Sequence, residues 1–218
     1  GRDHPQVGMI VYSLAQLRLD QRALSAALAL AERSLGIFGT SYGARHVHVA
    51  RALLLIGNIR ERLGQPAEAR RAVEQALTIQ EAALGPDHPH VGAAVATLAS
   101  VHLRDGDHDE SIRLNQRAIG IFERALGPDH PDVGKALKNL ANTYKAKGDH
   151  AAARPLYERS LAIREKALGP DQPQVALNLL DVGKIHLALG LTTTARAHFE
   201  RALAIAERKD PPEQQLIA

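Results

Sequence analysis

The chain reads as an all-α protein, a stack of five helical hairpins, and three observations carry that reading. The first is a period. Gly85-Pro86-Asp87-His88-Pro89 returns as Gly127-Pro128-Asp129-His130-Pro131 and again as Gly169-Pro170-Asp171-Gln172-Pro173, a spacing of 42 residues. Self-similarity at a fixed spacing of this size marks like units that stack on one another. The register runs back through Gly43 to Gly1, so five units occupy 1–42, 43–84, 85–126, 127–168 and 169–210, followed by a C-terminal tail, 211–218. The second is apolar residues at helical spacing inside each unit. The third is composition: aromatics are 3% while Ala and Leu abound, which suits closely packed helices rather than a sheet core built of aromatic and β-branched side chains. A single array with no internal domain boundary is expected over 1–210. Because it opens inside a linker motif, the sequence is expected to be a piece of a longer protein.

The unit 127–168 shows the elements in order. Pro131 fixes φ near the helical value and lacks only an N–H that the first turn leaves unpaired anyway, while it biases His130 away from the α region. Helix A therefore starts at Pro131. Val133, Leu137, Leu140, Ala141 and Tyr144 then share one stripe, and Gly148 supplies a stop. Asp149 is placed to cap helix B, whose apolar side is Ala153, Leu156, Tyr157, Ser160, Leu161 and Ile163 before Gly169 ends it.

The other units keep this pattern. Val7, Val49, Val91, Val133 and Val175 occupy one position, Ile37, Ile79, Ile121, Ile163 and Ile205 another, and Leu35, Leu77, Ile119, Leu161 and Leu203 a third. Small residues keep register at Ala15, Gly57, Ala99, Ala141 and Gly183, and at Ala27, Ala69, Ser111, Ala153 and Ala195, which predicts close helix approach. In unit three, Asp107 followed by Glu110 reads as a capping-box start. A hairpin alone cannot bury such a stripe, so each unit depends on its neighbours.

Charge and composition exclude several function classes. The net charge is +3, from 27 Lys and Arg against 24 Asp and Glu, and the signs are interspersed rather than gathered into a basic block. There are no cysteines, hence no disulfide, Cys-zinc site or thiol chemistry. No stretch has the length of a membrane span and no signal-peptide pattern opens the chain, so no membrane association and a cytoplasmic location are expected.

The run Leu137, Leu140-Ala141, Tyr144, then Gly148 and the series Ala153, Tyr157, Ser160, resembles the tetratricopeptide repeat. The 42-residue period, the Leu-Gly-Pro-Asp-His-Pro linker and the segment Lys138-Asn139-Leu140-Ala141 are similar to the repeats of kinesin light chains and their bacterial relatives. The resemblance covers almost the whole chain. Units one and two depart most, with Arg22 in place of the hairpin glycine and Ala44, Arg45 and Val47 erasing most of the linker motif. The resemblance implies a right-handed α-solenoid, a superhelix whose concave wall is lined by the A helices and receives a peptide segment.

Counting each unit from its opening glycine, the stripe at positions 9, 12, 13, 16 and 20 is then free to face that groove. Unit four, with its next turn, presents Lys135, Lys138, Asn139, Asn142 and Lys145; unit two presents Arg51, Asn58 and Arg62. An Asn amide offers donors and an acceptor to the backbone of an extended peptide, and cations favour carboxylates. Unit three offers the small floor Ala93, Ala96, Thr97 and Ser100, while Met9 and Tyr12 in unit one and Leu177 and Leu180 in unit five are placed to form apolar pockets. The expected ligand is an extended acidic segment with apolar anchors. In related chaperone-binding repeats a carboxylate clamp spreads Lys and Asn over three successive units; here unit four alone holds the full set, which argues against a strict clamp.

Other chemistries find little support. His4, His88 and His130 occupy the same linker slot in different units, and the pairs His46/His48 and His88/His90 lie two residues apart, which does not put both rings on one helical face as metal ligands. They read as caps and linker packing, with no metal and no cofactor. The turn Gly106-Asp107-His108-Asp109 reads as a helix stop and restart. No nucleotide, dinucleotide, zinc-protease or hydrolase motif occurs, so no enzymatic activity is expected. Seven aromatics, several at packing positions, leave few platforms for nucleic acid. The predicted function is a protein-interaction scaffold. The alternatives are self-association into a homo-oligomer through the array ends, where Pro211 and Pro212 break the last helix before it can be covered, or a regulatory sensor domain of a larger bacterial signalling protein.

Overall fold

The computed structural model describes residues 4–209. Gly1, Arg2 and Asp3 of the first linker motif, and the tail with Pro211 and Pro212, lie outside the described residues. Among the described residues ten α-helices follow one another: α1 Pro5–Asp20, α2 Leu24–Tyr42, α3 Val47–Arg62, α4 Pro66–Leu84, α5 Pro89–Arg104, α6 His108–Leu126, α7 Pro131–Ala146, α8 His150–Leu168, α9 Pro173–Ala188 and α10 Thr192–Lys209. No strand occurs among the described residues. Among the described residues α1 packs on α2, α3 on α4, α7 on α8 and α9 on α10 as successive hairpins, the odd-numbered helices being the A helices. The chain divides, inside α6 after Ile121, into two compact units.

Local chemistry sets the boundaries. His4, His46, His88 and His130 have extended backbones and cap α1, α3, α5 and α7, each through Nδ1 accepting the backbone N–H two residues on, at 3.1–3.2 Å. Gln172, in the same slot before α9, makes no such bond. Asp149 Oδ1 accepts from the Ala152 N–H at 2.9 Å, capping α8 as its position predicts. Asp107 Oδ1 accepts from the Glu110 N–H at 3.3 Å, but the Glu110 carboxylate turns to Arg113 instead of closing a capping box. Gly148 takes φ +85°, a conformation that a Cβ disfavours, and its counterpart in the first hairpin, Arg22, is forced to φ 60°.

In the first unit the core gathers Ala15, Leu19, Ala27 and Phe38 with Val49, Leu53, Ile56, Ile59 and Ala76. In the second, Tyr157 and Leu161 of α8 meet Val175, Leu179 and Val182 of α9, and Ala202 and Ile205 of α10. At the small-residue position, a Cβ on Gly57 would stand 2.6 Å from Val73 Cγ2, so that glycine exists because α3 and α4 touch there. The A-helix stripe predicted to pack does so: Val133, Leu137, Leu140 and Ala141 are buried and Tyr144 half-buried.

Candidate functional site

The five polar residues predicted on α7 lie along one edge of that helix, interleaved with its packed stripe. Lys135 and Lys145 are exposed; Lys138, Asn139 and Asn142 are half-buried. Lys138 Nζ reaches 2.6 Å to Asp181 Oδ2 on α9, so its charge is already compensated. The Tyr157 hydroxyl donates to Asn142 Oδ1 at 2.5 Å. Burial, and then the charge of Asp181, push the Tyr157 phenol well above its ordinary value, which keeps the hydroxyl a donor. Lys145 Nζ sits 5.9 Å from the Tyr157 ring centroid, within cation–π range, and Lys135 Nζ is 2.8 Å from Asp132 Oδ1. The Asn139 carboxamide bonds to no other described side chain.

Three residues outside the predicted set complete this face: Tyr157, Asp181 and Lys184. Asp181 stands where Asn139 does one unit earlier and Lys184 where Asn142 does, so reading the stripe on into the fifth unit finds both. Lys184 is exposed and, like Lys145, forms no ion pair with a described carboxylate. The face thus offers two uncompensated cations flanking a polar cluster, Lys138–Asp181 and Asn142–Tyr157, from which amide groups project.

In the first unit, Arg51, Asn58 and Arg62 lie along α3. Arg62 Nε donates to Asn58 Oδ1 at 3.1 Å, and the Arg51 guanidinium stacks over the Tyr12 ring, 5.2 Å from its centroid. Beside Arg51 a recess of about 70 Å³ opens, lined by Met9, Tyr12, Ser13, Gln16, Phe38, His48 and Arg51. The predicted apolar pair Met9 and Tyr12 therefore does border a pocket, and Phe38 of α2, which the repeat pattern does not single out, lines it too. His48 stacks on Phe38 at 5.2 Å, and burial, then Arg51 and His46, lower its pKa. On α5, Thr97 and Ser100 turn their hydroxyls back to the carbonyls of Ala93 and Ala96, at 2.9 and 3.2 Å. Leu177 and Leu180 line an apolar groove of about 520 Å³ with Phe199, Ala202, Leu203 and Ala206.

Among the described residues there is no cluster of three or more His, Cys, Asp or Glu able to hold a metal, and no helix is long and apolar enough to cross a membrane.

Helical hairpins with a packed A-helix stripe and a second, variable stripe define the class to which the chain belongs: the tetratricopeptide repeat family, whose model matches residues 48–99, 92–166 and 139–208. Within that class the fold is that of kinesin light chain-type repeats. The nearly identical TPR-like repeats of a Podosopora anserina protein of kinesin light chain type align at 23% identity over 97% of this chain and 99% of theirs, with a TM-score of 0.76. BtubC from P. vanneervenii aligns at 22% identity over 95% and 84%, with a TM-score of 0.80. A Rap protein complexed with competence and sporulation factor aligns at 14% identity over 90% of this chain and 53% of its own length, with a TM-score of 0.76. At these identities the likeness is one of fold. No curated protein matches the sequence.

Proposed function

We propose that the chain is a non-catalytic scaffold that holds an extended acidic segment of a partner protein against its A helices. The tetratricopeptide fold is a platform for protein–protein interaction, and the choice of ligand rests on the variable stripe. In the second unit Lys135, Lys138, Asn139, Asn142 and Lys145 contact the segment, joined by Lys184. In the first, Arg51, Asn58 and Arg62 play that part, and the recess beside Tyr12 receives a small apolar side chain.

One observation carries this reading: Lys145 and Lys184 are exposed cations with no carboxylate partner among the described residues, Lys145 on the helix that carries the Asn139 and Asn142 carboxamides and Lys184 at the position that Asn142 holds one unit earlier. Carboxylates supply the missing partners, and the amides meet backbone N–H and C=O whatever the side chains are. Asp181 sets the limit, since it holds Lys138 until a ligand carboxylate competes for it.

The test is fluorescence anisotropy with labelled peptides rich in Asp and Glu, set against the same peptides with Asn and Gln. Binding to the acidic set that weakens in a Lys145→Glu, Lys184→Glu variant and in a Lys138→Glu, Asn142→Ala variant supports the proposal. Equal affinity for the neutral peptides, or for both variants, overturns it.

A further inference from the structure

Position 38 of each unit lies near the C-terminal end of the B helix, and its occupant changes along the chain. The first three units place Phe38, Gln80 and Phe122 there, each no more than 4% exposed. In the first unit the ring fills the space beside α1, where a Cβ on Gly8 would stand 2.7 Å from Phe38 Cε1. The fourth unit carries Arg164 at this position, half-buried. A Cβ on Gly134, the counterpart of Gly8, would first meet Ile163 Cγ2 at 3.2 Å and, further off, the Ser160 carbonyl at 3.6 Å. Room opens here as a recess of about 230 Å³, walled by Pro131 and Gly134 of α7 and by Ile163, Ala167 and Leu168 of α8. Both helices are interior to the array, so this is not the face of an end hairpin.

Two cations border the recess from opposite helices, Lys135 of α7 and Arg164 of α8. Among the Lys and Arg residues of α8, Arg164 alone has no carboxylate partner among the described residues: Arg154 lies 4.0 Å from Glu158 and Arg159 2.6 Å from Glu123, and Lys166 pairs with Asp129. The nearby acids are engaged, Glu165 with Arg201 at 2.6 Å and Asp132 with Lys135 at 2.8 Å. A guanidinium drawn part-way out of water is stabilised by an anion that reaches it, and its planar fork suits a carboxylate. The remaining walls are apolar, so the anion that fits best has an apolar body. A dry cavity of about 150 Å³ takes a benzene ring, so this one has room for about six to ten carbons.

We propose that the recess between α7 and α8 binds a small organic acid, a monocarboxylate whose carboxylate pairs with Arg164 and whose compact aryl or alkyl body lies against Ile163, Ala167 and Leu168. A peptide segment carries its carboxylates and its apolar groups on separate side chains; one cation set against one cavity matches a single small molecule that has both. The site uses neither Lys145 nor Lys184 and does not depend on the peptide reading; Lys135 borders both surfaces.

Titration of the full chain with phenylpropionate, hexanoate, their neutral amides and acetate, followed through the isoleucine methyl resonances, tests it. Both acids shift the Ile163 methyls saturably at millimolar concentration or below. The amides, which lack the charge, and acetate, which lacks the body, bind about tenfold or more weaker. Arg164→Gln weakens the acids by about tenfold or more, and Arg164→Lys, which keeps the charge, by less. Ala167→Phe fills the recess and abolishes binding; Ala167 is exposed and Arg164 half-buried, so the thermal midpoints stay near that of the wild type. An unmoved Ile163 with either acid, equal binding of acids and amides, or acid binding unchanged in Arg164→Gln overturns the proposal. So does a peptide ending in a free phenylalanine carboxylate that shifts Ile163 where the small acids do not, which would give the recess to a chain terminus. The comparison of acid with amide is made on the wild type and decides the matter should a variant fail to fold.

Discussion

The two edges of α7 lie a residue apart along one helix and obey different rules. On one edge Val133, Leu137, Leu140 and Ala141 are buried, and the same residue types hold these positions in nearly every unit. Atoms close in from two sides there, so size and branching are fixed. On the other edge Lys138, Asn142 and Lys145 make single attachments: Lys138 to Asp181, Asn142 to Tyr157, Lys145 over a ring. Nothing in the hairpin dictates what stands at those positions, and their occupants change from unit to unit. The packed edge specifies the stack, and the polar edge is the surface left over for recognition.

The sharpest way to break the comparison is to cut the packed edge. Leu140→Ala removes a buried side chain and leaves a cavity, and is expected to cost about 2–5 kcal/mol, read from the shift of a urea melt. Overfilling the seam comes next. Gly57→Ala should destabilise by about 1–3 kcal/mol even though alanine is the better helix former, because its Cβ meets the fully buried Val73. The same change at Gly183 is expected to cost less, since the opposing Phe199 is half-exposed and borders the open α9–α10 groove. A Gly57→Ala protein as stable as the wild type would show that the seam gives way more easily than its distances suggest. The polar edge should respond in the opposite assay: Lys145→Glu with Lys184→Glu keeps stability within about 0.5 kcal/mol yet lowers affinity for acidic peptides by about tenfold or more.

Smaller effects sharpen the contrast between units. Arg22→Gly relieves a side chain held at φ 60° and is expected to raise stability by up to about 1 kcal/mol, measured by the same melt. The pH dependence has a definite sign. Burial is the main cause of the lowered pKa of both His48 and His198, the latter stacked 5.1 Å from His186. The unfolded chain therefore takes up these protons first, and the stability they contribute is present above about pH 6.5 and is lost as pH falls below it. Thermal midpoints measured downward from neutral pH should decline, and less so in His48→Asn.

Most of the fold was legible because its signals are local. The proline after each linker, the acids and histidines before the helices and the glycines after them act within a few residues of chain, and the structure starts α7 at Pro131 and caps α8 with Asp149 as those residues require. The polar edge was legible as a list of residues, but its connections were not. The Lys138–Asp181 pair spans 43 residues and depends on how α9 tilts against α7; Asn142 meets Tyr157 across the hairpin; and Phe38 comes to line a pocket only once α1 and α3 are placed beside it. Such contacts follow from three-dimensional placement, which no spacing within one unit encodes.

The imidazole caps carry a spectroscopic consequence. A ring that accepts through Nδ1 carries its proton on Nε2, so His4, His46, His88 and His130 are each locked in one tautomer while their linkers stay formed. Nitrogen-edited resonances of those four rings would report on individual joints of the stack, and the order in which they revert to a mixed population on warming would reveal where the chain begins to come apart.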